Sequence, residues 1–223
     1  MSHDIAKRIT AIRSRLPQGV ELVAVSKFHP VEELMEAYEA GQRVFGESRV
    51  QELVTKVDAM PGDVRWHFIG HLQTNKVKQL MGLCSMIESV DSERLLELID
   101  RESERAGVVT RVLMQVHVAA EETKTGFEPQ ELLDYFAARK FEGLKATHLC
   151  GVMGMATNTD DMNRVSADFK AIRGIYDNIL EIAPNLRGFD IVSMGMSDDH
   201  EVAIECGSTM VRIGTDIFGP RRY

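Results

Sequence analysis

The chain is poor in cysteine: three of its 223 residues, Cys84, Cys150 and Cys206, lie far apart with no CxxC pair. An odd, scattered set neither builds a disulfide framework nor supplies the paired thiolates of a structural zinc site, and it fits a reducing compartment. Long apolar runs are also missing. No stretch approaches the roughly 18 residues a membrane-spanning helix needs, and the opening MSHDIAKRITAIRSRL lacks the apolar centre of a secretory leader. A cytoplasmic protein without membrane contact is expected. Positive charge is in deficit, with 26 Lys and Arg against 34 Asp and Glu and a net charge of -8. That balance argues against a broad nucleic-acid surface. Neither a GxGxxG fingerprint nor a Walker loop occurs, so dinucleotide and nucleoside triphosphate binding lack support. Low-complexity segments and linkers are absent too. The length suits one domain, 1–223, around one core.

What the chain does have is alternation. Ile5, Ile9, Ile12 and Leu16 recur at helical spacing over 3–16. Short apolar strand candidates follow at 21–27, 43–48, 64–70, 85–90, 110–118, 144–153, 190–196 and 208–214. Helical patterns separate them at 31–40, 49–59, 73–81, 91–106, 128–140, 161–183 and 198–206. Eight strands, each but the last followed by a helix, predict a parallel sheet covered by helices. The expected fold is a single-domain (β/α)8 TIM barrel with an extra N-terminal helix. That helix is expected to cover the place of an eighth post-strand helix. A doubly wound open sheet is the competing arrangement. Segments 119–127 and 154–160 are the best candidates for mobile surface loops.

In such a barrel the C-terminal strand ends form the site. They offer Lys27, GES (46–48), HFIGHLQTNK (67–76), Glu88, His117, MGM (153–155), SMGMS (193–197) and RIGT (212–215). Lys27 has two readings: a strand-end lysine reaching water, or an amine that attacks a carbonyl to form a Schiff base, helped by burial near other cations. Gly195, Ser197, Gly214 and Thr215 read either as turn residues or as a phosphate cradle at the last two strand loops. Cradle and lysine together point to a phosphorylated carbonyl ligand, either pyridoxal 5'-phosphate or a sugar-phosphate aldol substrate. His67 and His71 share the HExxH interval but lack its glutamate and its helix, so no metal site is expected. His29 reads as local structure beside the lysine.

The segments LVAVSK (22–27), FGES (45–48), RWHFIGHLQTNK (65–76), SVDS (89–92), HLCGVMGMA (148–156), SMGMSDD (193–199) and GSTMVRIGTDIFGPR (207–221), with the E..KTGF region (121–127), span nearly the whole chain. In these the sequence resembles the pyridoxal phosphate homeostasis family (YggS/PROSC), relatives of the N-terminal barrel of alanine racemase. The resemblance implies that Lys27 forms an internal aldimine with pyridoxal 5'-phosphate. It implies that Ser197, Gly214 and Thr215 hold the phosphate and that Arg212 neighbours the ring nitrogen. Asn75, with Lys76, matches a signature of the family, and Met194 and Met153 match apolar positions of the pocket wall. Two departures stand out: Ser48 replaces the asparagine of GEN, and His117 that of a QVN strand.

Alanine racemases carry a second, β-rich domain whose tyrosine serves as the other acid/base; with nine residues after the last predicted strand, no such domain is expected in this sequence. Its tyrosines, Tyr38, Tyr135, Tyr176 and Tyr223, fall in predicted helices or at the terminus. The expectation is therefore a monomeric binder of the vitamer, buffering or delivering it without dedicated catalysis, with transient contact to pyridoxal phosphate-dependent apoenzymes. The alternatives are an amino-acid racemase or lyase and a Schiff-base aldolase.

Overall fold

A computed structural model of the chain describes residues 3–121 and 125–220. Eight strands form: β1 (Glu21–Val25), β2 (Val44–Glu47), β3 (Arg65–Phe68), β4 (Met86–Val90), β5 (Thr110–Val116), β6 (Thr147–Gly154), β7 (Ile191–Ser193) and β8 (Met210–Ile213). Each pairs in parallel with the next. β8 returns to β1, with Val23 opposite Arg212 and Ala24 opposite Ile213, so the sheet closes into the expected barrel. The strands read as apolar runs because both faces are covered; every residue of β4 is buried.

The helices are α1 (His3–Arg15), α2 (Val31–Glu39), α3 (Val50–Ala59), α4 (Val77–Leu80), α5 (Glu93–Ala106), α6 (Pro129–Ala137), α7 (Met162–Ile182), α8 (His200–Glu205) and α9 (Thr215–Phe218). Local chemistry sets their ends. The Ser92 hydroxyl accepts from the Leu95 N–H to start α5, and Gly107 at φ 68° stops it. Asp161 caps α7 by accepting from Asn163 and Arg164. Phe169, Ile172 and Ile179 of α7 are fully buried, each worth about 1.5–3 kcal/mol of transfer free energy.

The structure departs from the sequence expectation in four places. A single turn, α9, follows β8 where no helix was expected. α1 lies beside it, with the Arg8 guanidinium donating to the Ile217 carbonyl at 3.3 Å. β7 ends at Ser193, because Gly195 turns the chain out of the sheet with φ 97°. β1 ends at Val25, which places Lys27 on the following loop. The 154–160 segment is tied down, since the Thr157 N–H and hydroxyl both donate to Asp168 Oδ2 at 2.8 and 2.6 Å. Residues 122–124 of the other expected mobile loop, and Tyr223, lie outside the described residues.

Alternation along the strands sorts the barrel interior into layers. Met86, Leu113, Cys150 and Met153 form one apolar cluster, and Val23, Val44 and Met210 another. Two residues further along β4 and β8, toward the C-terminal mouth, the interior turns polar with Glu88 and Arg212. His67 of β3 and Ser193 of β7 join them.

Candidate functional site

A cavity of about 270 Å³ opens at the C-terminal mouth. Lys27 and His29 enter it from the loop after β1, and Ile69 from the end of β3. Met153 comes from β6 and Met155 from just beyond its end, and Met196, Ser197 and Asp198 from the loop after β7. Arg212, Gly214 and Thr215 come from β8 and its end. Larger hollows exist elsewhere on the molecule, and in one of them the charged groups are already paired. The one at the opposite rim, about 550 Å³, is lined by Arg13, Arg43 and Arg65. These are already paired, with Gln42, Asp63 and Glu21 respectively.

Two glycines allow the mouth to be this tight. A Cβ on Gly195 would fall 2.6 Å from the Ala203 Cβ, and Gly195 also holds a positive φ that disfavours other residues. At Gly214 a Cβ would sit 3.1 Å from the Val25 carbonyl oxygen. The bare backbone there brings the end of β8 against the end of β1, so Thr215 and Lys27 share one cavity. Asp199 fixes the intervening turn by accepting from the Met196 N–H at 2.6 Å. Burial pushes the Asp199 carboxyl above the usual carboxylate range.

The floor is a buried relay. Arg212 donates to the Ser193 hydroxyl at 2.6 Å and to the Gly154 carbonyl at 3.0 Å. Ser193 donates to Glu88 Oε2 at 2.6 Å, and His67 Nδ1 meets Glu88 Oε1 at 2.7 Å. Burial alone would raise the Glu88 carboxyl. The bond from His67, the charges of His67 and Arg212 and the Ser193 hydroxyl outweigh it and hold the carboxyl below its ordinary value. Burial lowers the Arg212 guanidinium, against the opposing pull of Glu88 and Asp199, yet from so high a starting point that it stays cationic.

Of the residues the resemblance assigned to the site, Lys27, Met153, Ser197, Arg212, Gly214 and Thr215 meet at this cavity. Two others do not. Met194 is fully buried in the core outside the barrel, with Val192 and Ala203. Ser193 points inward to Glu88, so its neighbour must point outward; Met196, beyond the Gly195 turn, lines the cavity instead. Asn75 lies on a 3-10 turn (Thr74–Lys76), in a separate hollow with His71, Asp91 and Arg94. Sequence reasoning missed Asp198 and Met196 as lining residues and took His29 for local structure only. His29 does both. Its ring stacks on Phe218 at 4.9 Å, its Nδ1 meets Glu33 at 2.7 Å, and it faces the cavity. His117 stands apart, with Nε2 3.1 Å from the Glu121 carbonyl. His67 and His71 pair with different carboxylates, Glu88 and Asp91. No metal-holding group of side chains occurs among the described residues. Among the same residues, no helix is long and apolar enough to cross a membrane.

The cavity suits a small, flat, phosphorylated aldehyde. One wall carries an amine, the floor a guanidinium, and Ser197 and Thr215 bring hydroxyls to the β7–β8 side. Val25, Ile69 and the three methionines supply apolar surface for a ring.

Residues 2–222 match the family described as alanine racemase, N-terminal domain. The pyridoxal phosphate homeostasis protein of Schizosaccharomyces pombe is 39% identical over 219 residues, covering 94% of this chain and 90% of its own length. That of Pasteurella multocida is 37% identical over 214 residues, with the same coverages. The structure of PipY from Synechococcus elongatus, solved with pyridoxal phosphate bound, superposes with a TM-score of 0.89 at 36% identity, covering 96% of this chain and all of that one. Alanine racemase from E. faecalis shares the fold, with a TM-score of 0.74 at 18% identity, and this chain covers 58% of it. With such identity along nearly its full length, and a closed barrel of the alanine racemase type, the chain belongs to the pyridoxal phosphate homeostasis protein family.

Proposed function

We propose that this chain binds pyridoxal 5'-phosphate reversibly at the Lys27 cavity and serves vitamin B6 homeostasis by buffering or delivering it. The observation that carries this reading is the meeting of Lys27, Arg212, Ser197 and Thr215 at one mouth of limited volume. Membership of the homeostasis family supports it, as does the related PipY structure with pyridoxal phosphate bound. When bound, the vitamer supplies an electrophilic aldehyde. The Lys27 amine attacks the aldehyde carbon, and its two hydrogens leave with the aldehyde oxygen as water, giving a C=N bond. Ser197, Thr215 and the backbone at Gly214 receive the phosphate. Arg212, held by Ser193 and Gly154, presents a fixed cation to the ring. Asp198 also lines the cavity, so the mouth holds one acidic group beside its two cations.

Handling rather than turnover is the reading favoured by the three tyrosines among the described residues. Racemisation needs a second acid/base on the opposite face of the cofactor. Tyr38 donates to Asp63 on the outer surface and Tyr176 to the Phe189 carbonyl, while Tyr135 is buried on α6. Release then follows hydrolysis or displacement by an incoming amine, including one presented by a recipient apoenzyme.

Borohydride reduction followed by mass spectrometry tests the assignment. The vitamer mass should fix on the peptide containing Lys27, and Lys27→Ala should lose both that adduct and the visible absorbance of the C=N bond. An adduct that persists in Lys27→Ala overturns the role of Lys27. Catalytic, Lys27-dependent exchange at the α-carbon of an amino acid would favour the racemase reading instead.

A further inference from the structure

The loop that carries Lys27 is gripped from behind by a buried charge cluster on α3 and β2. Lys56, nearly inaccessible, donates to the Ser26 carbonyl at 2.9 Å, to Glu47 Oε1 at 2.7 Å and to Glu52 Oε1 at 2.7 Å. Glu52 Oε1 in turn accepts from the Phe28 N–H at 2.7 Å. The Ser26 hydroxyl donates to Glu47 at 2.5 Å. The backbone is therefore held immediately before and immediately after Lys27, through one ammonium and one carboxylate. Between these holds the chain does something unfavourable. Phe28 adopts φ 68°, in the left-handed region, which a bulky residue keeps only when its surroundings impose it. Arg49 lies 4.7 Å above the Phe28 ring and adds a third hold.

A surface i,i+4 pair on α3 would not need this arrangement. Burying an ammonium is costly unless its bonds are satisfied, and here one of those bonds goes to the loop backbone. We propose that Lys56 and Glu52 are positioning residues for Lys27: they lock the left-handed turn at Phe28 and so aim the Lys27 amine into the cavity. This rests on the reading that Lys27 bonds the vitamer's aldehyde. The locked turn predetermines where the nitrogen sits before the aldehyde arrives, which is where orientation contributes to a condensation.

The test compares two ligands that differ only at the reacting carbon. Pyridoxal 5'-phosphate can bond Lys27; pyridoxine 5'-phosphate, an alcohol there, cannot. In Lys56→Met and Glu52→Gln, affinity for the aldehyde should fall roughly tenfold or more, while affinity for the alcohol changes less than about twofold. In the unliganded protein, amide exchange at Phe28 should speed up in both variants. Glu52→Gln keeps the Lys56–Glu47 pair and serves if Lys56→Met does not fold. Phe28→Gly in the Glu52→Gln background should recover part of the lost aldehyde affinity, because glycine takes this φ without strain. Parallel weakening of both ligands, or unchanged affinity for both, overturns the positioning role. Lys27→Ala run alongside separates the two ideas. If it retains the covalent adduct, the assignment of Lys27 itself fails; if it alone loses the adduct while the α3 variants behave as wild type, only the positioning role fails.

Discussion

Two buried ionic networks flank the candidate site, and they resolve the cost of burial in opposite ways. Inside the barrel, both Glu88 oxygens are engaged, one by His67 and one by Ser193, with Arg212 at 3.9 Å. Behind the Lys27 loop, Glu47 crowds its bonds onto Oε1, while its buried Oε2 has no hydrogen-bond partner. The carboxyls answer accordingly. Burial acts first on both. At Glu88 the surrounding donors and cations reverse it and depress the pKa, whereas at Glu47 burial outweighs Lys56 and Ser26 and the pKa rises. The charge of a buried acid is decided by the sum of its hydrogen bonds and neighbouring charges against burial: Glu88 has two basic neighbours and a bond on each oxygen, whereas Glu47 has one cation, an unbonded oxygen and the nearby Glu52 carboxylate.

The largest effect is expected at Glu88. Glu88→Leu leaves Arg212 and His67 buried without their carboxylate, and urea denaturation should show a loss of about 3–5 kcal/mol. Glu47→Gln removes one of two carboxylates around a single ammonium and should cost about 1 kcal/mol or less at neutral pH. The pH dependence sharpens the contrast. Glu88, with its depressed pKa, contributes stability that is present above the ordinary value of 4.5 and is lost as pH falls through its folded value. As pH falls below 4.5, denaturation midpoints should therefore drop less steeply in Glu88→Gln than in the wild type. Glu47, with its raised pKa, favours folding while protonated, and that contribution is lost as pH rises from 4.5 through its folded value. Glu47→Gln should remove this part of the decline. The smallest effect belongs to an exposed pair. Arg65 and Glu21 lie 2.6 Å apart at the rim, and Arg65→Ala should shift stability by about 0.5 kcal/mol or less.

The barrel was legible because its cause is local: apolar runs of strand length alternate with helical spacing, and nearly every element lies where that pattern put it. Lys27, Arg212, Gly214 and Thr215 were legible as polar or glycine residues at the ends of strands. Which way a residue faces was not. In a parallel strand both faces are apolar, so Met194 and Met196 look equivalent until the turn at Gly195 sends one into the core and the other to the cavity. The interior relay was equally hidden, since Glu88 and Ser193 are 105 residues apart and no spacing announces them. Glu52 and Lys56 read as an ordinary i,i+4 helix pair. Nothing in sequence shows that their charges reach across to the Ser26 and Phe28 backbone.

The barrel's seam has a consequence for the order in which the chain is made. β1 finds its second neighbour only in β8, four residues deep from Glu21–Met210 to Ala24–Ile213. During synthesis the first strand must wait for nearly the whole chain to emerge before its edge is covered, and an uncovered edge is where nascent chains misassemble. Lys27 follows the first strand and Thr215 the last. The pocket is therefore finished by the same event that seals the seam. If the vitamer binds at this cavity as proposed, its capture requires that β1 and β8 have already paired.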